Sequence, residues 1–299
     1  MLSAVLLAVT PPPLHWCHRS FGPTMLFDNL IRKYAEEDER NYLASPVDVS
    51  EIGLPAGYSG CSDACIIFHG RGGPDRETDD LLARIQSQDV AAEFDRPVAV
   101  FDWRPWFSND ASRNSYHGQE VGRRLGRLLA REAPTLRTLH VVGTSAGAWP
   151  ANEMCTAYVE ATTAAHAGRA HVQLTLTDPF TARHDRPLAD GWGGRNFGRD
   201  ADFAEQYCNS DDIVPSSNEP LANCYCWDVT SAAERRSFPL PGGGSTGNPL
   251  LDAGMMLLGY HNWPMGYMAR HHQTRLDADG ALVVPTHEQL PRGAVNLVL

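Results

Sequence analysis

Apolar and polar positions alternate between two regimes along most of this chain. Short unbroken apolar runs are followed by longer stretches in which apolar residues recur at helical spacing. Ala64-Cys65-Ile66-Ile67-Phe68, ending at His69-Gly70, predicts a buried strand. Glu77 to Phe94 carries Leu81, Leu82, Ile85, Val90 and Phe94 on one helical face. Val98-Ala99-Val100-Phe101-Asp102-Trp103 predicts a second strand, and Ser115 to Arg131 a second helix through Val121, Leu125, Leu128 and Leu129. Leu136 to Gly143 predicts a third strand and Ala146 to Ala167 a third helix. Val172-Gln173-Leu174-Thr175-Leu176 predicts a fourth strand, ending at Asp178-Pro179.

Strand and helix in strict alternation predict an α/β protein, a mostly parallel central sheet with helices on both faces. Beyond Asp178 the pattern loosens. Residues 191–198 and 239–249 are Gly-rich and read as loops, and Asn223 to Val229 as one further strand. Residues 1–60 read as an N-terminal extension, on or preceding the core, with one amphipathic helix from Phe27 to Leu43; residues 61–299 read as a single catalytic domain. Residues 1–9 are apolar but lack a basic leader, so the compartment stays open between secreted and soluble intracellular. No stretch of 18 apolar residues exists, and no transmembrane segment is expected.

Composition changes this picture in one respect. With 25 Lys+Arg against 36 Asp+Glu, the formal charge of the 299-residue chain is −11, which argues against nucleic-acid partners. The seven cysteines are an odd number. Cys208 with Cys224, and Cys61 with Cys65, are candidate pairs, while Cys65 and Cys155 fall on predicted core positions. No Cys/His spacing makes a zinc site, and Asp277-Ala278-Asp279-Gly280 reads as a hairpin turn rather than a calcium loop. No cofactor is expected.

Ligands in parallel sheets bind at the carboxyl ends of the strands, and the candidate chemistry lies there. Gly143-Thr144-Ser145-Ala146-Gly147 is a G-x-S-x-G between a strand and an Ala-rich helix, the setting of a nucleophile elbow. Its glycines are expected because a Cβ at either flank would strike the neighbouring strand or helix. A second copy, Gly243 to Gly247 around Ser245, has neither strand before nor helix after, and reads as loop. An activated serine needs N–H donors for the oxyanion. Ala146 supplies one and Arg71, in the Gly70 to Gly73 loop, the other, with Gly72 next in line. The base is expected C-terminal to the serine, and His261 sits at a loop-to-helix boundary late in the chain. His166, His171, His184, His271 and His272 are the other downstream candidates. Two carboxylates compete to orient it, Asp178 and Asp212. Asp178 is preferred because a clear strand precedes it; Asp212 lies in Ser210-Asp211-Asp212-Ile213-Val214-Pro215, which also reads as a solvated acidic turn.

In order and spacing, these residues resemble the pancreatic-type triacylglycerol lipase family of α/β-hydrolases. The resemblance is carried by Ile67-Phe68-His69-Gly70, Phe101-Asp102-Trp103-Arg104, Tyr116 with Val121-Gly122, the elbow around Ser145, and Leu176-Thr177-Asp178-Pro179. It implies the α/β-hydrolase fold and ester hydrolysis through an acyl-enzyme. It also implies Asp178 as the orienting acid, with Arg71 and Ala146 as oxyanion donors. Thr144 stands where that family usually has His. With residues 262–299 alone following the base, no second lipid-binding domain is expected. The Gly-rich then apolar stretch from Phe238 to Tyr260 reads equally as a lid or as a loop into a buried helix. The expected substrate is a small-molecule or lipid ester, with transient contact to a lipid surface. An acyltransferase, a peptidase, or a silent hydrolase-fold binding protein are the rival readings.

Overall fold

A computed structural model describes residues 42, 46–108, 113–165, 168–183, 192–212, 214, 216–238, 260–286 and 291–299. The chain divides into a unit at Met1–Ala44 and a compact unit at Ser45–Leu299. The amphipathic helix expected over 27–43 apart from Tyr42, the second elbow-like motif at Ser245, the 239–259 part of the stretch read as lid or loop, His166 and His184 lie outside the described residues.

Among the described residues, seven strands form one sheet: β1 (Asp63–Phe68), β2 (Val98–Phe101), β3 (Thr138–Thr144), β4 (His171–Thr177), β5 (Phe203–Cys208), β6 (Tyr225–Asp228) and β7 (Val295–Leu297). Their order is β2-β1-β3-β4-β5-β6-β7, and every pairing is parallel. Among the described residues the α-helices with stated bounds are α1 (Arg76–Ala91), α2 (Asn114–Glu132), α3 (Ala148–Ala164), α4 (Trp192–Asn196) and α5 (Trp263–His271). The protein is thus of the α/β class.

Period-two alternation assigns the two faces. Ala64, Ile66 and Phe68 of β1, with Leu139 and Val141 of β3, pack against Val121, Leu125 and Leu129 of α2 and Ala151 and Met154 of α3. The intervening Cys65, Ile67 and Val142 pack against Leu81 and Ile85 of α1 and Met265 and Met268 of α5. Ile52 and Tyr58 join the first of these clusters, so residues before 61 are part of the core. α2 and α3 approach closely, because Gly118, Gly122 and Gly126 form a bare stripe where they cross. A Cβ on Gly122 would lie 2.2 Å from the Pro150 carbonyl oxygen.

The periodicity misses two strands, the short edge strand β7 and, inside the sheet, β5. Its sequence, Phe-Ala-Glu-Gln-Tyr-Cys, puts Glu205 and Gln206 in the middle of a central strand. Both polar heads are satisfied inside. Gln206 donates to the Glu219 carbonyl and accepts from the Leu221 N–H, and Glu205 accepts from the Thr175 and Tyr207 hydroxyls. The short helix α4 falls within residues expected as loop.

All six described cysteines are free, so neither candidate pair is bridged. Cys65 and Cys155 are core thiols as the pattern suggests, and burial pushes Cys65 up to about 11. Among the described residues no helix is long and apolar enough to cross a membrane.

Candidate active site

The chain leaves β1 toward β2 on one side and returns to β3 on the other. The crevice between the carboxyl ends of β1 and β3 is therefore the switch point of the sheet, where such folds hold ligands. The Gly70 loop follows β1 and Ser145 follows β3. The two meet directly, since a Cβ on Gly70 would lie 3.3 Å from the Ser145 Cβ.

Ser145 has φ +51°, a left-handed conformation that costs a non-glycine residue of order 1–3 kcal/mol and that the surroundings must enforce. They do so by close approach. A Cβ on Gly143 would lie 2.6 Å from the Gly147 carbonyl oxygen, at the start of α3. One on Gly147 would lie 2.4 Å from the Phe68 carbonyl oxygen, at the end of β1. The two glycines thus let strand, turn and helix pack while Ser145 stands at the crest. Its own carbonyl accepts from the Phe180 N–H at 3.0 Å, which ties the crest to the end of β4.

The Gly70 loop is aimed by a buried histidine. The His69 Nδ1–H donates to the Gly70 carbonyl at 2.7 Å, and its Nε2 accepts from the Trp103 N–H at 3.2 Å. In a trans peptide the N–H points opposite the C=O, so fixing the Gly70 carbonyl also fixes the direction of the Arg71 N–H. Asp102 contacts His69 Nε2 and pairs with Arg104, whose hydrogen bonds hold the Asp102 carboxyl below its ordinary range. The Arg104 side chain in turn packs on Gly73, which has φ +93°. His69, Asp102, Trp103 and Arg104 were legible only as parts of a resemblance; their bracing of the loop needed coordinates.

His261 precedes α5 and is held from both sides. Asn209 donates from its side chain to the Tyr260 carbonyl at 3.2 Å, and Asn262 reaches Asp75 and Glu77 at the start of α1, each at 3.3 Å. The His261 Nδ1–H meets Asp212 Oδ2 at 2.5 Å, while Asp178 Oδ2 stands 3.8 Å from the same nitrogen. The hydrogen-bonding partner is therefore Asp212 and not the preferred Asp178. The reason is β5: Asp212 follows a strand end after all, on the strand whose polar centre concealed it. Asp212 also accepts from the Ser217 hydroxyl and the Val214 N–H. Burial pulls its carboxyl up, but these donors and the His261 interaction hold it below the ordinary range. His261 Nε2 is buried with no hydrogen-bond partner.

Asp178 is fully buried behind this pair, at φ +39°. Its N–H donates to the Tyr207 carbonyl, and its Oδ1 accepts from the Asn209 N–H at 2.8 Å. Burial, then the neighbouring Asp212, drives its carboxyl well above the ordinary range. The register Thr144↔Thr177 places Ser145 and Asp178 at the ends of adjacent strands. The other described downstream histidines stand elsewhere. His171 begins β4 at the opposite end of the sheet, His271 pairs with Glu234, and His272 stacks on His140.

Asp178, Asp212 and His261 are also the one trio of metal-ligating side chains, among the described residues, whose donor atoms lie within 4.8 Å of one another. Two donors on one zinc ion, each about 2.0–2.2 Å from it, stand roughly 3 Å or more apart. The 2.5 Å between Nδ1 and Oδ2 is too short for that and fits a shared proton. Asp212, Asp178 and His261 form one cluster, and Ser145 stands at the end of the strand adjoining that of Asp178, its hydroxyl not hydrogen-bonded to His261 Nε2.

No protein-family model matches this chain, and no curated protein or solved structure matches it.

Proposed function

We propose that the protein is a serine hydrolase of the α/β-hydrolase type that cleaves carboxylic esters through an acyl-enzyme. The observation that carries this reading is Ser145, held left-handed at the switch point of the sheet, together with the hydrogen-bonded Asp212–His261 pair, whose aspartate follows the end of β5. Ser145 Oγ attacks the ester carbonyl. His261 Nε2, the unpaired edge of the ring, takes the hydroxyl proton and returns it to the leaving alcohol. Asp212 keeps the other proton on Nδ1 and faces the imidazolium that forms. The Ala146 and Arg71 amides hold the oxyanion. Water, activated by the same histidine, then releases the acid. The resemblance to pancreatic-type lipases supports lipid or acyl esters as the substrate class, although there the acid belongs to the Asp-Pro turn.

The test is labelling of the purified protein with a fluorophosphonate, with the adduct located by peptide mass spectrometry. Stoichiometric label on Ser145 is expected. In Ser145→Ala the label should vanish and ester hydrolysis should fall by about 10⁴–10⁶-fold. An unlabelled, folded wild type would overturn the reading. Product analysis with an added alcohol distinguishes hydrolysis from acyl transfer.

A further inference from the structure

The site described above uses one carboxylate, and two are present. Asp178 Oδ2 is fully buried, has no hydrogen-bond partner, and stands 3.8 Å from His261 Nδ1. A buried carboxyl oxygen without a donor costs free energy and is rarely left so without a reason. This one is held at a left-handed backbone position between two further bonds, at the Tyr207 carbonyl and the Asn209 N–H. The same Asn209 fixes the carbonyl of Tyr260, next to the histidine. One asparagine therefore sets the distance between Asp178 and the imidazole.

We propose that Asp178 is a second positioning carboxyl for His261, able to accept the Nδ1–H in place of Asp212. This deepens the hydrolase reading and rests on it. The titratable and charged groups facing Asp178 are Asp212, Cys208 from the end of β5, Asp228 from β6, Arg235, and His261. Beside the Asp212 carboxylate, burial and like charge keep a proton on Asp178, so it is a reserve and not a rival. When Asp212 is removed, that repulsion goes. Burial still raises the Asp178 carboxyl, and the imidazole closes a gap of about 1 Å so that its Nδ1–H reaches ordinary hydrogen-bond distance of Asp178 Oδ2, which accepts it.

A contrast between two variants follows. In Asp212→Asn the amide can donate to Nδ1 and hold the wrong tautomer, a fault that costs about 10⁴-fold where it has been measured in another serine enzyme. In Asp212→Ala no donor competes, and Asp178 is free to take the Nδ1–H. The truncated variant should therefore be the more active one, with kcat reduced about 10²-fold against about 10⁴-fold for the isostere. Asp178→Ala alone should cost less than about tenfold. The double variant Asp178→Ala/Asp212→Ala should fall to about 10⁴-fold below wild type, with KM little changed throughout. Proton NMR supplies a readout that loss of packing would not mimic. The downfield Nδ1 proton of His261 should persist in Asp212→Ala and vanish in the double variant. Asp212→Ser serves the same comparison if Asp212→Ala does not fold. An Asp212→Ala activity equal to that of the double variant, or an absent Nδ1 resonance, would overturn the proposal. If instead wild type takes no fluorophosphonate label, the hydrolase reading itself has failed.

Discussion

Two residues with positive φ, Ser145 and Asp178, end adjacent strands, and each bears on the candidate chemistry. Strain of this kind survives only where packing over-determines it. For Asp178 it comes with a second cost, a buried carboxyl with an unpartnered oxygen. Because burial raises its pKa in the folded chain, the folded state holds a proton that the unfolded chain has released. Stability from this group is complete below the ordinary carboxylate range and declines as pH rises toward the raised value. Asp178→Asn removes that decline while keeping an acceptor for the Asn209 N–H. The variant should therefore gain Tm on wild type as pH rises from about 4 toward neutrality. Paired melting curves across that range check it, and parallel curves would contradict it.

At the scale of elements, close approach outweighs propensity at the α2–α3 crossing. Glycine inside a helix normally loses about 1 kcal/mol to alanine. Gly122 should reverse that sign, because a Cβ there meets the backbone of α3 at Pro150 and Met154 rather than a movable side chain. Gly122→Ala is expected to destabilise by about 1–3 kcal/mol, read as a lower urea midpoint at unchanged slope. The same scale explains what the sequence disclosed. β1 to β4 and α1 to α3 were legible because each is bounded by turn residues and carries an unmixed period. Ser145 was legible for the same reason, since its strand and helix were. β5 was not, because a period-based reading takes Glu205-Gln206 as surface. What neutralises them are partners distant in sequence, at Thr175, Glu219 and Leu221. With β5 hidden, Asp212 had no strand end to belong to, and Asp178 gained the preference, which the resemblance reinforced. The Asn209 bridge and the His69 clamp have no local signature at all, being side chain to backbone contacts across the sheet.

Across the whole molecule, α5 is bracketed by two histidines of opposite setting. His261 precedes it and hydrogen-bonds a carboxylate; His272 follows it and sits among groups that disfavour its charge. His272 stacks on His140 of β3, with Arg96, Asp89 and Arg84 around it, so the contact joins the sheet, α1 and α5. Burial, then Arg96, pushes His272 down to about 4, and burial, then Arg96, lowers His140 well below its ordinary range. Both are then neutral in the fold at a pH where the unfolded chain would protonate them. The unfolded state binds more protons, so stability rises with pH across this window and is lost on acidification from about 6.5 downward. Carboxylates such as Asp212 lose their contribution at lower pH, so the two effects separate. Wild-type Tm should already fall between about pH 6.5 and 5, ahead of the carboxylate range. His272→Phe, which keeps a ring against His140 and removes the proton site, should flatten that limb while leaving the steeper loss below pH 4 in place. An unchanged slope in the variant would mean that the loss on acidification originates elsewhere than at the α5 junction.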